Sequence, residues 1–381
     1  MKKSLVKNLT VIFLLFTIAC GPETKQTSKQ TKQTQKPKYA KGFSISYKDN
    51  YKIINVFPAW QKGDTITTIQ YVLLAQGQTA PTDLANAIPV NLPVRSIVCL
   101  STTQAPFVDL LGESNKISGF SGGKYVSNPT IKNLIAQGKI KEVGQESGTN
   151  VELILDLQPD LIFAYDVGEA DNTYQKMKKA GLKVALINEF LEETPLGKAE
   201  WLKFVAAFLG KEAQADSIFA AVDKSYLETA MLAQKQASKP LVFSNIPYGN
   251  VWYIAGGKSF AARLFQDAGA NYIFADDSTR GSAQVSIETV FQKAQNADFW
   301  LNVSNFNSLA EVKGSDARFV EFKAFREGKV YNNNLKTNEQ GGIEYWELGV
   351  ARPDIVLQDL VKIFYPSLLP QHELYFYKKL E

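Results

Sequence analysis

The chain has one histidine, His372, and only two cysteines, Cys20 and Cys99, among 381 residues. A lone imidazole leaves no set of nitrogen ligands for a bare zinc or manganese ion, and any Ser-His-Asp triad would rest on His372 alone. No G-x-x-x-x-G-K phosphate loop occurs, and the G-x-S-x-G match around Ser121 would still depend on His372 for its base, so an enzyme reading finds no complete catalytic constellation. Two cysteines cannot make a disulfide framework. Cys99, inside the apolar run "SIVCL", reads as a small buried hydrophobe. Apolar runs long enough to span a bilayer are also missing.

What is present begins at the amino end. Lys2, Lys3 and Lys7 precede "LTVIFLLFTIA", a stretch the length of a secretory h-region, ending in small residues before Cys20. This is similar to a bacterial lipoprotein signal over residues 1–19, with Cys20 lipidated as the first residue of the mature chain. Residues 20–38, "CGPETKQTSKQTKQTQKPK", lack aliphatic and aromatic side chains after the cysteine and read as a flexible tether. The formal net charge is +4, but the first 38 residues carry +7, which leaves −3 on residues 39–381. The body is mildly acidic, without the basic footprint of a nucleic-acid binder.

Residues 39–90 alternate apolar and polar positions and end in the proline-rich "APTDLANAIPVNLP", predicting an antiparallel β meander, with Asp49-Asn50 as a turn, and a connector. From residue 91 short apolar strands alternate with helical stretches, the pattern of parallel α/β units, over 91–195 and again over 239–365. Residues 196–238 between them are helical in spacing, with a break at Gly210 and a long helix expected over 211–236. Residues 366–381 read as an extension packed on the surface. The fold class expected is α/β: two Rossmann-like lobes bridged by a single long α-helix, with an N-terminal β meander.

A weak internal repeat supports two lobes. "NVELIL…PDLIFAY" matches "SIETVF…ADFWLNV", placing Asn150 opposite Ser286 and Glu152 opposite Glu288. Thr149 and Glu152 also have the spacing of a capping box. Together with "VRSIVCLSTTQAPFVDLLG" and "AQVSIETVFQKAQNADFWL", these segments resemble the periplasmic substrate-binding proteins of ABC importers, in the group handling ferric siderophores, cobalamin and haem. The resemblance covers about residues 91–365. It implies a ligand cleft between the lobes and no enzymatic activity. It also implies an acidic residue on each lobe for docking to the permease, which by position are Glu152 and Glu288.

Loops after strand ends should line the cleft. In the first lobe they offer Phe120, Lys124, Tyr125, Tyr165 and Asp166, and in the second Tyr248, Trp252, Arg280, Tyr345 and Trp346. Aromatic rings suit a flat or bulky ligand, while Lys124 and Arg280 suit an anionic one. Trp252 and Trp346, beside glycines, are the foremost candidates. The function expected is capture of a metal chelate, a ferric siderophore first and cobalamin or haem next, for delivery to a permease and its ATPase in the inner membrane. The chain is expected to be a monomer with no cofactor of its own, anchored through Cys20 on the periplasmic side. A lipoprotein hydrolase and a non-transport structural lipoprotein are the rival classes.

Overall fold

Alternating apolar side chains build the first sheet of the computed structural model, which describes residues 34–57, 68–145, 148–165 and 172–381. Strands β1 (Thr34–Gln35), β2 (Phe43–Tyr47), β3 (Tyr51–Val56), β4 (Ile69–Leu74) and β5 (Ile88–Asn91) lie in that order. The first four pair antiparallel, with Asp49 and Asn50 in the β2–β3 turn. Contrary to expectation, β5 comes from the connector and pairs parallel to β4.

The end of the expected tether is also part of the fold. β1 pairs with β2, and the backbone N–H groups of Lys38, Tyr39 and Ala40 donate to the Glu200 carboxylate. Glu192 takes those of Lys41 and Gly42 together with Trp201 Nε1. Composition alone misses this, because the strap is held by charge-assisted backbone hydrogen bonds to distant carboxylates, with Tyr39 and Ala40 adding apolar contact. Cys20, the signal stretch and Asp166 lie outside the described residues.

The first lobe contains β6 (Ile97–Cys99), β7 (Ile117–Ser121), β8 (Lys141–Gln145), β9 (Gly148–Thr149), β10 (Leu161–Ala164) and β11 (Val184–Leu186). Their order is β11-β10-β6-β7-β8-β9, parallel except for the β8–β9 pair. Helices α1 (Ala105–Leu110), α2 (Pro129–Ala136), α3 (Val151–Leu157) and α4 (Asn172–Lys179) connect them. Cys99 is buried, and burial pushes its thiol up to about 12, as its apolar neighbours require.

Two helices leave this lobe, α5 (Pro195–Leu209) and α6 (Glu212–Gln234), separated by Gly210 at φ +69. The 23 residues of α6 span roughly 35 Å. Ala215 near its start belongs to the first core, while Phe219, Val222, Tyr226 and Ala233 belong to the second. One helix thus has an end in each lobe, and the apolar spacing read from the sequence is the reason.

The second lobe has strands β12 (Leu241–Ser244), β13 (Pro247–Tyr248), β14 (Val251–Ala255), β15 (Asn271–Tyr272), β16 (Ser282–Ser286), β17 (Phe299–Leu301), β18 (Val330–Asn332) and β19 (Lys378–Lys379). Its helices are α7 (Phe260–Asp267), α8 (Ile287–Ala294), α9 (Leu309–Ser315), α10 (Lys323–Arg326), α11 (Glu344–Ala351) and α12 (Pro353–Phe364). β15-β12-β17-β18 run parallel, and β19 closes the edge antiparallel, while β13-β14-β16 form a separate antiparallel sheet. Within the carboxyl-terminal extension, Lys378 and Lys379 therefore add a strand to the sheet edge, and Phe376, Tyr377 and Leu380 are buried beside it. Buried Asp359 accepts the backbone N–H groups of Tyr375, Phe376 and Tyr377, and His372 Nε2 lies 2.6 Å from the same carboxylate.

Candidate functional site

At the carboxyl ends of β12 and β17 the chain turns in unusual conformations. Asn245, Asn302 and Ser304 have φ of +67, +58 and +57, a left-handed region that asparagine tolerates better than most residues. Such conformations persist only where their surroundings hold them. Here the means are visible. Asn332 Nδ2 donates to the carbonyls of Ser304 and Phe306, both at 2.8 Å, and Trp300 Nε1 donates to Asn245 O at 2.8 Å.

These held turns surround a pocket of ≈ 410 Å³. Asn245, Asn302, Ser304, Asn305 and Asn333 form its polar wall, and Tyr248, Tyr253, Ile246, Pro247, Ile343 and Trp346 its apolar one. Tyr248 is 83% exposed and Trp346 52% exposed, so both rings are open to a ligand. The carboxyl ends of parallel strands are where α/β sheets bind ligands. Every residue of this wall belongs to the second lobe.

The sequence-derived candidates divide accordingly. Tyr248 and Trp346 line the pocket; the other described candidates do not. Trp252 is fully buried on β14, packed among Phe243, Trp300, Phe319 and Phe322, with its Nε1 donating to Ser244 O at 3.0 Å. Neighbouring glycines made it look like a loop residue, but strand pairing turns its ring inward. Tyr345 is buried edge-on to Trp346 and Tyr377, and burial raises its phenol to about 12. It and Trp346 sit in the first turn of α11, where successive side chains are about 100° apart, so one ring turns inward and the next faces out. Phe120 is an inward residue of β7 in the first core.

Arg280 reaches the other lobe. It pairs with Glu193 at 2.9 Å beside a separate hollow of ≈ 150 Å³ that Lys41, Phe57 and Asn188 also line. Tyr165 is exposed at the end of β10. Lys124 lies over the Tyr125 ring, 4.7 Å from its centre, in a loop that the second lobe grips.

That grip is a feature the sequence did not disclose. Asn338 Nδ2 donates to the carbonyls of Lys124 and Val126 at 3.1 and 3.0 Å, and Ser127 N donates to both oxygens of Glu347 at 2.9 and 3.0 Å. Gly342 passes so close to Tyr125 O that a Cβ there would lie 1.8 Å from it. Val350 and Ala351 at the end of α11 enter the first lobe's core. The segment carrying Ile343 and Trp346 is therefore clamped to the first lobe.

Burial lifts the Glu347 carboxyl to about 7, opposed by the N–H groups of Ser127 and Asn128 and by Lys132, and assisted by Glu344. The folded value lies above the unfolded one, so this group's stabilising share is complete below pH 4.5 and is lost as pH rises through about 7. A displacement of this size corresponds to roughly 3 kcal/mol. Melting temperature is expected to fall between about pH 4.5 and 7 and to level off above that, and Glu347→Gln to flatten that slope. A slope identical in the variant would contradict the assignment.

Elsewhere, burial raises Glu189 and lowers the amine of Lys198, whose Nζ sits 4.3 Å from the centre of the Phe260 ring of the second lobe. Gln104, fully buried after β6, accepts the N–H groups of Leu100 and Ser101 and closes the strand end. Polar residues directly after short apolar strands were the available sequence signal for these positions and for the asparagines.

Glu152 and Glu288 occupy equivalent places, each exposed as the second residue of its helix, α3 or α8. The capping box expected from Thr149 does not form. Asn150 caps α3 by accepting Leu153 N at 2.9 Å, and its own N–H donates to Val143 O. Ser286 caps α8 in the same way through Thr289 N. Both glutamates are thus spared a capping duty.

Two parallel-sheet lobes, a long shared helix and a pocket at the strand ends define a bilobal solute-binding fold. Residues 97–334 match the family described as periplasmic binding protein, and the chain belongs to it. It is 27% identical over 362 residues to the uncharacterized lipoprotein MJ0878 of Methanocaldococcus jannaschii, covering 90% of this chain and 84% of that protein. A cobalamin-binding protein of Halobacterium salinarum is 26% identical over 216 residues, 56% of this chain and 55% of that one. The crystal structure of a periplasmic haem-binding protein from Pseudomonas aeruginosa superposes with a TM-score of 0.56 at 18% identity, over 72% of this chain and 94% of its own. The meander precedes the matched region.

Proposed function

We propose that this protein is the substrate-binding lipoprotein of an ABC importer, anchored through Cys20, that captures a metal chelate and delivers it to the membrane permease. The observation that carries the reading is the pocket at the strand ends, with the open rings of Tyr248 and Trp346 on its rim. Aromatic faces of this kind bury large area against a flat or bulky ligand while losing little conformational freedom. Ferric siderophores, cobalamin and haem are the candidate cargoes, and the names of the Halobacterium and Pseudomonas relatives support the class. Glu152 and Glu288 are the proposed docking contacts for the permease, one on each lobe.

The test is fluorescence titration of the detergent-solubilised full chain with a ferric siderophore, cyanocobalamin and haem. At least one is expected to bind saturably at sub-micromolar concentration. Trp346→Ala combined with Tyr248→Ala should weaken that binding by at least about tenfold with an unchanged melting temperature, since both rings are solvent-facing. Failure of every chelate to bind would sink the reading.

A further inference from the structure

The pocket's charge is as informative as its shape. Among the described residues none that lines it is charged, and five of them are asparagine or serine. Asn333 is decisive among these. It is buried, lines the pocket, and its Nδ2 has no hydrogen-bond partner in the protein. Buried amide donors are normally satisfied, so one left open in a pocket wall marks where a ligand acceptor belongs. The turns around it are held by Asn332 and Trp300, so the wall is already shaped before a ligand arrives.

We propose that this pocket selects chelates with an uncharged, hydrogen-bonding edge of carboxamide, hydroxamate or hydroxyl groups, and that Asn333 is a specificity-determining residue. The inference rests on the chelate-binding reading above. A neutral edge exchanges its hydrogen bonds with water for bonds to asparagine amides, which both donate and accept. An edge of carboxylates or catecholates enters the same wall without a cation to offset its lost hydration, and is disfavoured. Neither sequence-derived cation lines this pocket: Arg280 is paired with Glu193 at a different hollow, and Lys124 lies over the Tyr125 ring in the loop that Asn338 holds. A site built to hydrogen-bond a particular group discriminates strongly against ligands that leave it unpaired.

Four probes separate the possibilities: cyanocobalamin with its amide fringe, ferrichrome as a neutral trihydroxamate, haem with two propionates, and the trianionic ferric enterobactin. The full chain in detergent is titrated with each. The tightest ligand is expected to be one of the first two, at least about tenfold ahead of both anionic chelates, and which of the two leads identifies the edge chemistry. Asn333→Asp, which keeps the shape but removes the donors, should weaken it at least tenfold. Asn305→Asp, on the exposed wall, places a carboxylate there without disturbing a buried group and should also weaken it. Preference for haem or ferric enterobactin overturns this inference while leaving the chelate-binding reading intact. So do unchanged affinities in both variants. No binding by any probe overturns both.

Discussion

Trp252→Ala is expected to destabilise the protein by about 3–5 kcal/mol, the range for emptying a large buried aromatic site. The ring lies in the second lobe's aromatic cluster, at 6.2 Å from Trp300 and 5.9 Å from Phe319 between ring centres. Its removal opens a cavity among rings that cannot collapse together, and leaves Ser244 O without the indole donor. Trp252→Phe should cost less, since most of the apolar contact survives. Chemical denaturation followed by circular dichroism measures both. The contrast with Trp346 is the point of the experiment, because the two tryptophans look alike in sequence and differ in exposure. A stable Trp252→Ala variant that had lost only ligand binding would reverse their assigned roles.

The second large effect concerns transport. Glu152→Ala paired with Glu288→Ala is expected to reduce chelate uptake by cells at least about tenfold while leaving chelate affinity and melting temperature nearly unchanged. The stability side follows from the caps. Asn150 and Ser286 each cap a first-turn N–H group, so the glutamates are left with the helix-dipole interaction, about 0.3–1 kcal/mol each, and Glu288 with the nearby charge of Arg318. The transport side follows from exposure and equivalence, since rim charges set encounter rate and register between partners. Each single variant should fall between wild type and the pair. Normal uptake in the double variant would remove the docking role from both residues.

Much of the fold was legible because it rests on periodicity. The long helix was expected over 211–236 and spans Glu212–Gln234, since apolar residues at helical spacing had two cores to enter. Gly112 and Gly210 end α1 and α5 with positive φ, as glycine after an apolar helix suggests. The repeat correctly aligned Asn150 with Ser286, although the neighbouring Thr149 was misread as half of a capping box. The strap at Lys38 to Gly42 and the carboxyl-terminal strand were missed. Each is held by a carboxylate distant in sequence, Glu200, Glu192 or Asp359, and no local pattern announces such a partner.

The site was less legible than the fold. Aromatic residues near glycines are equally compatible with a strand interior and a pocket rim, which is why Trp252, Tyr345 and Phe120 were grouped with Tyr248 and Trp346. Composition and periodicity by themselves determined the α/β class, the two lobes and the long helix, because each depends on which residues avoid water at a regular interval. Only the tertiary structure decided which rings face solvent, that Asn338 and Glu347 clamp the lobes, and that Asn333, in the pocket wall, keeps an amide donor that no protein group satisfies. Those features depend on which strand ends meet in space, and side-chain direction at a strand end is set by pairing and by left-handed turns that the linear order of residues does not specify.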